Sequence, residues 1–145
     1  MDRHGSNDFP EINMTGKEIR DILDRYRTVA VVGLSDKPEK DSYRVAKYLK
    51  DHGYRIIPVN PLIKEILGEK SYPDLKSVPL KVDIVNIFRR PEAIPGIVDD
   101  AVEIGAKVVW MQDGLVHNKA AGKARRAGLE VVQSKCIMRQ HYKTT

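Results

Sequence analysis

The chain has 145 residues, 41% hydrophobic and 31% charged, with a net charge of +5 and one cysteine, which suits a single domain with a real core and excludes an internal disulfide framework. No stretch approaches the roughly 18 apolar residues of a membrane helix, and the N-terminus lacks an apolar signal core, so a reduced, cytoplasmic setting and no membrane partner are expected. The positive charge suits a polyanionic partner without separating a phosphorylated small molecule from nucleic acid.

In chain order, residues 1–14 read as a loose arm and residues 15–145 as one domain. Thr15-Gly16-Lys17-Glu18 has the form of a capping box, and Ile19, Ile22, Leu23 and Tyr26 then recur at helical spacing. Thr28 to Val32 is the first strand. Gly33 ends it, a polar loop with Lys37 and Lys40 follows, and a helix starts at Asp41 or Ser42 and runs to His52, with Val45, Ala46 and Leu49 inward. Gly53 stands where a helix C-cap belongs. Arg55 to Val59 is the second strand, ended by Asn60-Pro61. The stretch from Leu62 to Lys81 is irregular, with Lys70-Ser71-Tyr72 as a short third strand and a loop or brief helical turn beyond it.

Val82 to Phe88 is the fourth strand. Pro91 opens a helix with Ile94, Ile97, Val98, Ala101 and Val102 on one face, closed by Gly105. Lys107 to Met111 is the fifth strand. Asn118 caps a helix to Ala127, Gly128 closes it, and Leu129 to Val132 is the last strand before a polar tail from Arg139. Strands alternate with helices and are rich in Val and Ile without polar alternation, as in a parallel sheet buried on both faces. The expected fold is α/β, a Rossmann-like three-layer domain with a mainly parallel sheet in the order 3-2-1-4-5, with a sixth strand at the edge.

Ligands of such sheets bind outside the carboxyl ends of the strands, where the strand order reverses. Here that crevice lies between the first and fourth strands. Its walls are Gly33-Leu34-Ser35-Asp36-Lys37, Asn60-Pro61, Phe88-Arg89-Arg90 and Met111-Gln112-Asp113-Gly114. The glycine allows close backbone approach, the helix after the loop offers unpaired N–H groups, and Lys37 and Arg44 add charge, so a phosphate-bearing ligand is expected. Lys40 reads as a solvated base. Asn60-Pro61 reads equally as turn chemistry or as ligand contact. Arg89 is preferred over Arg90 because side chains of an extended chain alternate. Trp110, in mid-strand, reads as core and Gln112 as crevice wall. Cys136 is either a small buried hydrophobe or, near Lys135 and Arg139, a reactive thiol. No metal-ligand spacing or catalytic triad pattern is visible, and no basic-aromatic motif supports nucleic-acid binding.

The pattern does not suit NAD. The dinucleotide fingerprint wants G-x-G-x-x-G and an acidic residue about 20 positions on. This chain has Gly33 alone, with Ser35 and Pro38 at the other glycine positions and Asn60 at the end of the second strand. An NADP site, which replaces the acid with bases, stays open.

The ordered set Val32-Gly33-Leu34-Ser35-Asp36-Lys37-Pro38, Ser42 to Leu49, Gly53 to Pro61, Gly68 to Pro73, Val82 to Arg90 and Lys107 to Gln112 resembles the stand-alone CoA-binding proteins. These are related to the CoA-binding domain of the succinyl-CoA synthetase alpha subunit. The resemblance spans roughly Gly16 to His141. It implies coenzyme A in the crevice, with Gly33, Leu34, Ser35 and Lys37 toward the pyrophosphate and ADP part and Arg44 assisting. It places Asn60 and Pro61 along the adenosine, Phe88 and Arg89 beside the pantetheine or phosphates, and Gln112 and Gly114 on the far wall. The histidines His4, His52, His117 and His141 fit no phosphohistidine motif, so the resemblance implies binding of CoA or an acyl-CoA without catalysis. A protein partner in acyl-CoA metabolism is then expected. The alternatives are an NADP-dependent oxidoreductase or an accessory subunit of an acyl-CoA ligase.

Overall fold

The computed structural model describes residues 10–144; of the expected arm, residues 1–9 lie outside the described part. Helix α1 (Gly16–Arg25) opens with the capping box read from sequence. The Thr15 hydroxyl accepts from the Glu18 N–H, and the Glu18 carboxylate accepts from the Thr15 N–H at 2.8 Å. Strand β1 (Thr28–Val32), helix α2 (Asp41–Asp51) and strand β2 (Arg55–Val59) follow, then a two-stranded antiparallel hairpin of β3 (Glu65–Ile66) and β4 (Glu69–Lys70). A short 3-10 turn at Leu75–Ser77 is capped by Asp74. Strand β5 (Ile84–Ile87), helix α3 (Ile94–Glu103), strand β6 (Val108–Met111), helix α4 (Asn118–Arg126), strand β7 (Glu130–Val132) and helix α5 (Ile137–Thr144) complete the chain.

The main sheet is parallel and ordered β2-β1-β5-β6-β7. Its strands bury both faces, as their composition requires. Ala30, Val32, Val85, Ile87, Val109 and Met111 pack on one side against α3 and α4, through Ile94, Val98, Ala101, Ala121 and Ala124. Val29, Val31, Ile84, Val108 and Trp110 pack on the other against α1, α2 and α5, through Ile22, Val45, Leu49 and Ile137. Trp110 is fully buried, and its indole N–H donates to the Lys135 carbonyl at 2.7 Å. The α/β three-layer Rossmann-like architecture is therefore the one expected. No helix among the described residues is long and apolar enough to cross a membrane.

Three local expectations are corrected. The third strand shrinks to one parallel bridge between Tyr72 and Val59, and Lys70 belongs instead to the hairpin. Tyr72 still donates to the Pro58 carbonyl at 3.0 Å and accepts from Asn60 at 2.9 Å. Pro58 has no N–H to offer on that outer edge, and Pro73 has none to continue the ladder, so pairing stops there. Helix α4 is capped by His117 rather than Asn118; the His117 ring accepts from the Ala120 N–H at 3.1 Å. The polar tail is helical: α5 buries Ile137 against the sheet.

Candidate functional site

The carboxyl ends of β5 and β6 open into a cleft of about 630 Å³, bounded by the N-terminal turns of α2 and α5. Arg44 and Val45 come from α2, Phe88, Arg89 and Arg90 from the end of β5, and Gln112, Asp113 and Leu115 from the end of β6. Cys136, Met138 and Arg139 complete the wall from α5 and the residue before it. Four guanidiniums thus face one cleft whose remaining surface is largely apolar. Pockets of this size with a few convergent polar groups are the usual form of a small-molecule site.

The sequence-predicted residues divide. Arg44, Phe88, Arg89 and Gln112 meet in this cleft. Pro61 lines a smaller hollow of about 190 Å³ on the α3 side of the sheet, and Arg89 borders both spaces. Gly33, Leu34, Ser35, Lys37, Asn60 and Gly114 line neither.

Their own contacts explain why. At Gly33 the backbone has φ +87°, and a Cβ would stand 2.2 Å from the Phe88 carbonyl oxygen and 2.8 Å from Arg89 Cδ. The glycine therefore lets the β5 loop, with the Arg89 side chain, lie directly over the β1 loop. Leu34 is fully buried core. The Ser35 N–H donates to the Ser42 hydroxyl at 3.0 Å, and the Lys37 N–H donates to the Ser35 hydroxyl at 3.1 Å, so this loop is closed on itself. The Asn60 side chain is engaged at both ends: its amide donates to the Leu34 carbonyl at 3.0 Å, and its oxygen accepts from the Leu62 N–H at 2.9 Å. Of the two readings left open for Asn60, turn chemistry describes these bonds. Gly114 sits in a turn at φ +84°, its N–H donating to the Ser134 hydroxyl at 3.1 Å.

Within the cleft the arginines differ. Arg44 folds back on its own helix start, donating to the Glu39 carbonyl at 2.6 Å and pairing with Asp41. Arg139 lies 3.5 Å from the Asp113 carboxylate. Arg89 and Arg90 form no ion pair or side-chain hydrogen bond among the described residues. Both border the cleft because the chain bends at Arg89, so the strand alternation that favoured one over the other no longer applies there. The buried Gln112 uses its side-chain oxygen to accept from the Ile137 N–H at 3.0 Å, which fixes the start of α5 beside the cleft. Helix α2 has no side-chain cap at Lys40, so its first N–H groups have no such partner at the cleft edge.

Sequence reasoning named Arg90 in the wall but set it behind Arg89, and it missed Met138 and Arg139 as wall residues. The available signal was the helical spacing of Ile137 and His141, which marks a docked helix rather than a tail.

Known proteins share the sequence and the fold over most of this chain. An uncharacterised Bacillus subtilis protein, YneT, is 44% identical over 129 residues, which make up 89% of this chain and 96% of that protein. A solved structure described as a hypothetical protein from Pyrococcus horikoshii superposes with a TM-score of 0.88 at 41% identity, over 99% of this chain and 98% of the other. The alpha subunit of an ADP-forming acetate–CoA ligase (II) from Pyrococcus furiosus is 30% identical over 122 residues; the match takes in 77% of this chain but 27% of the subunit. This chain thus corresponds to about a quarter of that ligase subunit, and the likeness found is to ADP-forming acyl-CoA ligases. Residues 27–142, which hold every strand of the sheet and the whole wall of the cleft, match the CoA binding domain family, and the chain belongs to it.

Proposed function

We propose that the chain binds coenzyme A or an acyl-CoA in the cleft of about 630 Å³ and, without chemistry of its own, presents it as an accessory component of an ADP-forming acyl-CoA ligase. The convergence of Arg44, Arg89, Arg90 and Arg139 on that cleft carries the reading. Guanidiniums recognise phosphate through paired, charge-assisted hydrogen bonds. CoA offers a pyrophosphate and a 3′-phosphate to such a cluster, and its pantetheine arm suits an apolar wall of Val45, Phe88, Leu115 and Met138. The fit is better on the β5, β6 and α5 side than on the β1 loop, where the Ser35 and Lys37 N–H groups and the Ser35 and Ser42 hydroxyls are already bonded. The ligase role draws on the match to the Pyrococcus furiosus subunit.

Isothermal titration of the nucleotide-free protein with CoA, dephospho-CoA and NADPH tests the binding. Tight CoA binding that weakens about tenfold or more without the 3′-phosphate is expected, since a hydrogen bond to a charged group contributes roughly 1.5–3 kcal/mol. NADPH binding without CoA binding overturns the reading. The accessory role is tested by replacing the matching segment of the ligase subunit with this chain; loss of CoA-dependent turnover in a folded hybrid counts against it.

A further inference from the structure

Helix α5 supplies Met138 and Arg139 to the cleft and follows directly on Cys136, yet the far half of the helix is held by a cluster of rings. His141 Nδ1 lies 2.8 Å from the Tyr48 hydroxyl of α2. Its ring meets the rings of Tyr48, His52 and Tyr54 edge-on, at centroid distances of 5.5, 5.4 and 5.5 Å. His52 stacks on Tyr48 at 3.9 Å, and its Nδ1–H donates to the Tyr48 carbonyl at 2.7 Å. The Arg27 guanidinium lies 4.8 Å from the centre of the Tyr54 ring. The charged and titratable groups around His141 are therefore Tyr48 and His52 from α2, Tyr54 at the foot of β2, and Asp24 and Arg27 from the end of α1 and the turn after it. Tyr142 and Lys143 flank it on its own helix.

We propose that His141, packed on Tyr48, His52 and Tyr54, is a proton-operated latch: acidification undocks α5 from α2 and so weakens ligand binding in the cleft. The second half rests on the reading that CoA binds there. Neutral His141 accepts the phenol hydrogen of Tyr48 at Nδ1. A proton on that nitrogen removes the acceptor and sets a positive ring against His52 and Arg27; Asp24 opposes this at His141, and Asp51 acts on the neighbouring His52. Burial, then His52, then Arg27 hold the His141 imidazole below its ordinary value. The sign follows. As pH falls through the ordinary imidazole value of about 6.5, an undocked helix takes up the proton first, so the docking contribution is present above that pH and lost as pH drops through the folded value.

Amide hydrogen exchange of α5, corrected for the intrinsic pH effect and read without ligand, tests the latch at about pH 7.5 and about pH 5.5. CoA titrations at the same two pH values test its consequence. In the wild type, α5 protection and CoA affinity are each expected to fall from the higher to the lower pH, in the direction the lowered His141 value sets. His141→Gln keeps an acceptor for Tyr48 and carries no proton, so both responses should vanish. His52→Gln leaves His141 in place without the neighbour that lowers it, brings the folded value back toward the ordinary one and should shrink the response; it also serves if the first variant does not fold. The phosphates of the ligand titrate nearby in every arm, so the comparison is between variants. Unchanged α5 protection in the wild type, or the same pH response in wild type and His141→Gln, overturns the latch. Absence of CoA binding at the higher pH overturns the reading of the cleft and the affinity half of the proposal, and exchange in the ligand-free protein tells that failure apart.

Discussion

In the loop from Gly33 to Lys37 the Ser35 N–H donates to Ser42 and the Lys37 N–H to Ser35, whereas across the cleft the Arg89 and Arg90 side chains make no ion pair or hydrogen bond among the described residues. Both regions lie where an α/β sheet places its ligand, and both are polar, so position alone ranks them equally. Hydrogen bonding separates them. A group already paired in the protein must lose that bond to meet a ligand, and the net gain is small. An unpaired guanidinium beside apolar walls has no such cost. The β1 loop and the β5, β6 and α5 wall thus differ in what they leave open to a ligand.

The largest test of this division is Gly33→Ala. The left-handed backbone and a Cβ 2.2 Å from the Phe88 carbonyl predict a loss of roughly 2–5 kcal/mol in urea unfolding. An unchanged midpoint would show that the β5 loop can lift away, and would remove the structural reading of the glycine. Next, Arg89→Ala and Arg90→Ala should each weaken CoA binding about 10- to 100-fold in titration while moving the unfolding midpoint little, because neither guanidinium has an ion pair or hydrogen bond among the described residues to lose. A stability loss without an affinity loss would reverse the comparison. Asn60→Ala leaves the Leu34 carbonyl and the Leu62 N–H without their partner and is expected to cost about 1–2 kcal/mol of stability with CoA affinity intact. The smallest effect belongs to Lys37→Ala, where affinity should stay within about twofold, as for other exposed charges. A tenfold drop there would bring the β1 loop back into the site.

The amino-acid sequence by itself determined what depends on near neighbours and on period. The capping box of Thr15 and Glu18, the runs of Val and Ile in β1, β5 and β6, the turn at Gly33 and the alternation of strand with helix are local signals. Together they specify a parallel sheet, its reversal point and the strands whose ends border the ligand site, and Phe88, Arg89 and Gln112 follow from that topology. Tertiary structure decided the rest, since it turns on partners distant in the chain. Tyr72 keeps a single bridge because Pro58 faces it across a gap of more than ten residues. Arg90 joins Arg89 at the cleft because the strand bends as it leaves the sheet. Helix α5 forms because Gln112 accepts from its first N–H, the sheet buries Ile137, and Tyr48 meets His141 93 residues away. A segment of eight residues is too short to be helical alone, so that wall of the cleft exists only where the folded chain provides its contacts.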